Sequence, residues 1–555
     1  MKLFNIKNSN WVIAMSLIAL GTVSTSSCSK PDSKQEIIES QGTKLIVKVS
    51  GIADEQSSIT TKGSITTATK ALKVINYPEF DATVSVDNNL PASPIARVAQ
   101  GGNFNLSSSN SSSGAKAENL ANLIKYRLFI FKQDGTFLSS ESMTAGSAGS
   151  VSLEPGTYKW AALSYNDENT VDDLSVGGNT DIVLPAGKDV LYANGDVTIA
   201  NGTSSSINIT FKRKYSRLGI ELNTMGMFAN MENANVVVSG LSVTKATIQM
   251  FDGGLKDFVS APQTIDYSSF VNVDPSYNDA KIAYIYTANN AQSEVKVAVS
   301  NLAIRLDDGN PRNFTQTANF TFPITPVMGK SYRLLANLIE SPLTITNTLL
   351  GTTYTTQWAR QNLYYTVGHN PYRFHHTYKA STDRNTYFSF SGTLPTEFGT
   401  GGDPCLSVYP QGVWKTASTR DYTMLTGSLL GFTAKTPTYN AAYTEYQAST
   451  GTASPYPSKN LRFYNNGQYI TAGVVNGLIE VSLGSSGEGN YWSGSAGVDL
   501  GNLLSVGALS YETKLGTGVL NPSYHRTNLN LLDIKLLGLG VIQTNFKNIR
   551  CVRAN

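Results

Sequence analysis

The stretch "IKYRLFIFKQDGTFLSS" (residues 124–140) decides the fold class. An apolar, β-rich run from Tyr126 to Phe131 meets Asp134-Gly135, the strongest short hairpin signal, and a second apolar run resumes at Phe137. "VSLEPGTYKWAALSYN" (151–166) repeats the plan with a turn at Pro155-Gly156. Working outward, "TKLIVKVSG" (43–51) alternates, with Leu45, Val47 and Val49 on one face and Lys44 and Lys48 on the other. Further strands are read at "TDIVLPAG", "SSSINITFKRKYSRLGIELN", "NANVVVSGLSVTKATIQMF", "AKIAYIYTA", "SEVKVAVSNLAIRL" and "SYRLLANLIE". Helical periodicity is nearly absent. Short strands so regularly punctuated predict a mainly β chain of antiparallel sandwiches.

Composition fits that reading. At 555 residues the chain is too long for one core. Charged residues are 15%, Gly 47 and Tyr 28, and Ser, Thr and Asn abound, a profile of extracellular β-structure. The net charge of +3 is small and no Lys/Arg block stands out, so nucleic acid is not expected as a partner. Residues 54–120 are rich in Ser, Thr, Asn and Gly, with a low-complexity patch at "NLSSSNSSSG" (105–114), and read as a long polar insertion with little core.

There are three cysteines, Cys28, Cys405 and Cys551. Lys2 and Lys7 precede an apolar run from Trp11 to Leu20, which gives way to "GTVSTSSC". That order is a secretory signal, and the run is too short to span a membrane as a mature helix. Small residues directly before Cys28 resemble a bacterial lipoprotein signal, although Thr25 stands where Leu is usual. The resemblance implies that residues 1–27 are removed, that Cys28 carries acyl chains such as palmitate, and that 28–41 is a tether. Export implies an oxidising compartment, where the two remaining cysteines are expected to pair. A Cys405–Cys551 bridge would close a loop of about 145 residues and contribute roughly 4–5 kcal/mol on the chain-entropy model.

The lipidated start, the alternating first strand, "YRLFIFKQDGTF", "LEPGTYKWAALSYN", "FKRKYSRLGIELN" and "GKSYRLLANL" together resemble the fimbrillin family of surface pilus proteins of Bacteroidota, over roughly residues 43–340. That resemblance implies two tandem transthyretin-like antiparallel β-sandwiches, 42–205 (with the insertion 54–120) and 206–343. Beyond 343 the texture changes. Cys405, Pro410, Gly412 and Trp414, then Tyr491, Trp492 and Ser493, then Arg550 to Arg553, resemble in order the landmarks of the FISUMP-type domain of secreted Bacteroidota proteins. The usual "RLPT" after the tryptophan is replaced by "KTAS" (415–418). The resemblance implies a loop-rich α+β domain over 344–555, related to C-type lectin-like folds, with Trp414 and Trp492 inside and a short helix at "TRDYTMLTG".

Catalytic and metal motifs do not stand out. His375 and His376 are neighbours on what would be opposite faces of a strand, and with His369 and His525 they read as ordinary loop histidines. "VMGKSY" (327–332) has Ile324 where a phosphate loop needs glycine, and reads as a turn. The acid clusters "NDENTVDD" (166–173) and "LDDGN" (306–310) lack calcium-loop spacing and read as surface turns. Carboxylate pairs for glycoside hydrolysis leave no local signature. No catalytic residue, metal or cofactor is therefore expected. Aromatics are the candidates for ligand contact, with Tyr364, Tyr365, Tyr372 and Tyr464 as the free stacking faces.

The fimbrillin resemblance further implies assembly by β-strand exchange: proteolysis removes the first strand, and another subunit's strand fills the groove. Between Cys28 and Arg127 the only arginine is Arg97, in the polar loop "SPIARVAQGG", so Arg97 is the expected cleavage position. The function expected is a non-enzymatic outer-membrane lipoprotein, a fimbrial tip or accessory adhesin whose partners are other fimbrial subunits and a glycan or host-surface protein. The alternative is a stand-alone glycan-binding lipoprotein that does not polymerise.

Overall fold

The computed structural model describes residues 43–53, 73–87, 120–241, 244–288, 294–395, 397, 401–427, 433–449, 460–474, 477–481, 487–499, 504–536, 540–541 and 543–554. Cys28 and Arg97 lie outside them. The molecule is mainly β, as the alternation predicts.

The Asp134-Gly135 hairpin forms as read, joining Lys125–Lys132 to Phe137–Thr144. These strands open a seven-stranded sheet that continues through Gly156–Ser164, Leu191–Ile199 and Ser205–Arg213 to Lys44–Ile52 and the short edge strand Gly149–Ser152. Leu45 and Val47 from one end of this sheet share a core with Tyr126, Leu128 and Ile130 from the other, so the open sheet folds over and its two halves pack face to face. Its opposite face, carrying Phe129, Phe131 and Leu163, packs on Ala246, Ile248 and Met250 and on Ile182. Ala246, Ile248 and Ile182 belong to a small sheet of Asp181–Val183, Lys245–Gln249 and Leu255–Val259, and Met250 follows its middle strand.

A second sandwich follows. The basic stretch "FKRKYSRLGIELN" ends Ser205–Arg213 in the first sheet and begins Ser216–Gly226 in a six-stranded one. There Leu218, Ile220 and Leu222, with Leu334, Ala336 and Leu338, face Val236, Val238, Val297, Val299 and Phe320 of a facing sheet built on Ala229–Ser239 and Val295–Leu306. The pairing is mostly antiparallel, but Lys44–Ile52 runs parallel to Ser205–Arg213, and Ser216–Gly226 runs parallel to Ser331–Ile339.

Residues 54–120 are not featureless where described. Val74–Asn76 and Asp81–Asp87 form a hairpin that joins the six-stranded sheet beside Ser331–Ile339, and Phe80 and Ala82 enter the second core. The reading of little core is corrected there: Ala82, Val84 and Val86 alternate with polar residues, and the polar composition around them masked that period.

Past 343, a sheet of Leu343–Leu349, Thr352–Trp358, Cys551–Arg553 and Trp414–Thr416 lies beside a longer one built on Glu488–Asp499, Leu504–Lys514 and Tyr524–Leu536. The helix Thr419–Thr426 falls within "TRDYTMLTG". It starts at a capping box in which Ser418 accepts from the Asp421 amide and Asp421 accepts from that of Ser418. Among the described residues no helix is long and apolar enough to cross a membrane.

Candidate functional site

The geometry draws attention to three places: the seal at the chain's end, the slot holding its first strand, and a cleft between the second sandwich and the region beyond it.

At the seal, Cys405 and Cys551 are disulfide-bonded. The strand Cys551–Arg553 is not an edge: Val552 pairs with Trp358 on one side and Lys415 on the other. Arg550 is fully buried and donates to the carbonyls of Ala359 and Arg360 and to Asn362. Arg553 lies over the Trp414 ring and donates to Asp81 Oδ2 at 2.7 Å. The run "RCVR" thus uses each residue as a fastening.

In the slot, Lys44–Ile52 lies between Ser205–Arg213 and Gly149–Ser152, with Leu45, Val47 and Ile52 buried. Alternate side chains reach the core and the others reach water, as the period of two requires.

The cleft has a volume of about 330 Å³ and is lined by Phe228, Tyr277, Asp279, Asp307, Val367 and His369 among others. One wall is the hairpin Leu363–Tyr365/Tyr372–Phe374 from "YYTVGHNPYRFHH". Its turn contains Asn370 with a positive φ of 51°, a conformation asparagine tolerates. Asn370 also donates to the Met225 carbonyl. His369 Nε2 is 2.6 Å from Asp279 Oδ2, and its ring stacks on Tyr277 at 3.7 Å. Asp307 is the hub. Tyr364 donates to it at 2.9 Å, Arg373 at 3.1 Å, and His376 Nε2 lies 2.9 Å away. Burial pushes the Asp307 carboxyl up, but His376, Tyr364 and Arg373 outweigh it and bring it to about 2. Burial pulls His376 down, yet its bond to Asp307 leaves it above the ordinary histidine value. His375, stacked on Tyr364 at 4.1 Å, is lowered by burial and then by Lys379 to about 4. An ionised, fully bonded Asp307 is a poor proton carrier, so this cluster works as a joint between the hairpin and the second sandwich.

Two of the four tyrosines offered as stacking faces are corrected. Tyr372 and Tyr464 are 4% and 3% exposed, with hydroxyls committed to the Thr393 carbonyl and Gln361. Tyr364 and Tyr365 are half-buried, one against His375 and the other edge-on to Tyr372. Burial pushes the hydroxyl of Tyr372 up to about 12. Trp414 and Trp492 are both buried. The acid clusters read as turns carry cation partners: Asp173 pairs with Arg127, Asp167 with Lys188, and Asp307 with Arg373. Among the described residues no group of three or more His, Cys, Asp or Glu could hold a metal ion. Tyr277 and Asp279 were missed by sequence reading, and no local signal marks them, because their partners lie about a hundred residues on.

No curated protein matches the chain. Several solved structures are similar to it. A candidate cell adhesion protein of Bacteroides fragilis is 12% identical, covering 58% of this chain and 98% of its own, with a TM-score of 0.33. The fimbrial anchor protein Mfa2 of Porphyromonas gingivalis is 13% identical, covering 44% and 91%, with a TM-score of 0.25. A candidate polysaccharide-binding protein of Bacteroides thetaiotaomicron is 12% identical, covering 35% and 72%, with a TM-score of 0.24. At these TM-scores the likenesses carry no argument about function. The family profile described as "Fimbrillin-like" matches residues 165–358, a span that takes in the second sandwich and the strands leading to it; this region of the chain is fimbrillin-like.

Proposed function

We propose that the protein is a non-enzymatic, adhesin-type protein of the cell surface that associates with fimbrial components. The match of residues 165–358 to the fimbrillin-like profile carries this reading, and the commitment of both Asp307 oxygens to Tyr364, Arg373 and His376 is in keeping with it. Within it, the chain is an outer-membrane lipoprotein acylated on Cys28, its first strand is the one exchanged, and Arg97 is the cleavage position. The order along the chain is a sandwich over 42–205, a second over 206–343, and a lectin-like module over 344–555 that meets a glycan or a surface protein. Half-buried Tyr364 and Tyr365 are the aromatic faces left for such a ligand.

The position within a fimbrium is that of a tip or accessory subunit. Lys44–Ile52 sits in a slot that another strand could occupy, whereas Cys551–Arg553 is bonded on both sides and bridged to Cys405. Such a chain is built to accept a strand and is poorly placed to donate Cys551–Arg553. A second reading, a stand-alone surface binder that never polymerises, is favoured by one observation: the segment before Arg97 is fastened in the second sheet as well as the first.

N-terminal sequencing and intact-mass analysis of the protein from its native surface test the two. A mature start at Val98 supports strand acceptance. An acylated Cys28 start means the strand is kept, and the stand-alone reading takes its place.

A further inference from the structure

Without residues 73–87 the six-stranded sheet would end at Ser331–Ile339, and the hairpin of Val74–Asn76 and Asp81–Asp87 lies along that edge in a built slot. Asp81 to Asp87 pair antiparallel with Ile339 to Arg333, residue by residue. One face is apolar: Phe80 and Ala82 enter the core, and Val84 and Val86 pack against it. Phe80 meets Phe314 edge-on at 5.3 Å, and Tyr77 stacks on Phe80 and lies edge-on to Phe320. The other face is polar and is read by side chains distant in sequence. Asp81 accepts from Arg553 at 2.7 Å, and Thr83 accepts from Asn337 at 3.2 Å. At the entrance, the Glu79 carboxylate accepts from the backbone amides of Thr315 and Gln316. Asp81 and Arg553 are 2% and 4% exposed, so the pair is desolvated and its geometry is selective.

We propose that this edge is a strand-binding site separate from the one filled by Lys44–Ile52. Its ligand is an extended peptide with an aromatic residue where Phe80 sits, a carboxylate in the next place, and small or branched apolar residues at alternate positions after it. Residues 74–87 occupy it in the intact chain. Backbone pairing supplies affinity, the aromatic slot and Arg553 supply register, and a one-residue slip would turn the apolar face out to water. A chain starting at Val98 would lack both occupants, so a partner would have to fill two slots.

The test uses the full chain with two sites for a sequence-specific protease, one within residues 54–72 and one at Arg97, so that after cutting the released piece is held by this edge alone. The cut protein is passed over a gel-filtration column and then titrated with a fluorescein-labelled peptide of residues 73–87. The piece is expected to co-elute with the body and to be replaced by the labelled peptide. Peptides carrying Phe80→Ala or Asp81→Asn are expected to compete at least about 10-fold less well. Separate elution of the piece, equal competition by all three peptides, or loss of the body's β-sheet circular dichroism on removal of the piece would each overturn the proposal. It rests on the strand-acceptor reading only for the source of an outside strand: a native Cys28 start sinks that reading, and the competition decides this one.

Discussion

Asp81 and Arg553 stand 472 residues apart and form a buried ion pair, so each is hostage to the other. Burial pushes the Asp81 carboxyl up, and Arg553, the strongest of the opposing influences, does not fully offset it. Removing one partner leaves a desolvated charge, and Asp81→Ala should lower the unfolding free energy by about 3 kcal/mol in urea titrations. Replacing the pair together, Asp81→Leu with Arg553→Met, should recover most of that loss, because a buried pair is worth little over well-packed apolar groups of similar size. His375 gives a residue-scale prediction of another kind. Its folded value of about 4 lies below the ordinary 6.5, so the unfolded chain takes up a proton first as the medium is acidified. Stability contributed by neutral His375 is therefore present above about pH 6.5 and falls between about 6.5 and 4. His376 runs the opposite way: its raised value stabilises the fold below its ordinary pKa and the contribution fades as pH rises through the folded one. His375→Phe, which keeps the stack on Tyr364, should flatten the acid limb by up to about 2 kcal/mol once solvent screening is allowed for, read as melting temperature against pH. An unchanged acid limb would mean that another group titrates there.

At the scale of elements, the disulfide acts on a strand that is already central in its sheet. Cys405→Ser with Cys551→Ser should lower the unfolding free energy by roughly 5 kcal/mol, the chain-entropy value for so long a loop. Hydrogen exchange should also quicken at Val552 and Arg553 before it does at Leu218 or Ile220, since the seal is local and the second core is not. Uniform quickening would show the bridge holding the whole molecule. Cys405–Cys551 was legible in the sequence because the expected export signal, with Cys28 read as its acylated residue, left one pair of cysteines to bridge. The hairpin at Asp134-Gly135 was legible because its signal is local, and the helix in "TRDYTMLTG" because the FISUMP resemblance implies it. Pro155-Gly156, by contrast, links two strands, Gly149–Ser152 and Gly156–Ser164, that pair with other strands and not with each other. Elements whose meaning is tertiary were not. Tyr372 and Tyr464 look in the sequence like Tyr364 and Tyr365, and only packing separates core from surface. Residues 74–87 carry strand alternation, but their flanks are so polar that composition hid the period. His369 and Asp279 meet across a joint that no spacing rule anticipates.

At the scale of the whole molecule, the N-terminal segment decides what processing can achieve. Its two strands run in two different sheets, Lys44–Ile52 in the first and Asp81–Asp87 in the second, and Arg97 follows both. A cut at Arg97 therefore breaks the covalent link without undoing either set of backbone pairs. The severed segment keeps Leu45 and Val47 in one core and Phe80 and Ala82 in the other, besides the bond from Arg553 to Asp81. Burial of four such side chains is worth about 1.5–3 kcal/mol for each larger one, before any hydrogen bond is counted. Release should then be slow in buffer and faster when a competing strand is present, since exchange replaces pairs as they open. The measurement is a time course after cutting, following the fraction of the N-terminal piece that still co-elutes with the body, with and without an excess of two peptides, residues 43–53 and residues 73–87, added together. Retention over hours in buffer, with accelerated loss on adding both peptides, is the outcome expected of a strand acceptor. Prompt loss in buffer alone would mean that the cut is the switch and that no incoming strand is needed to drive the segment out.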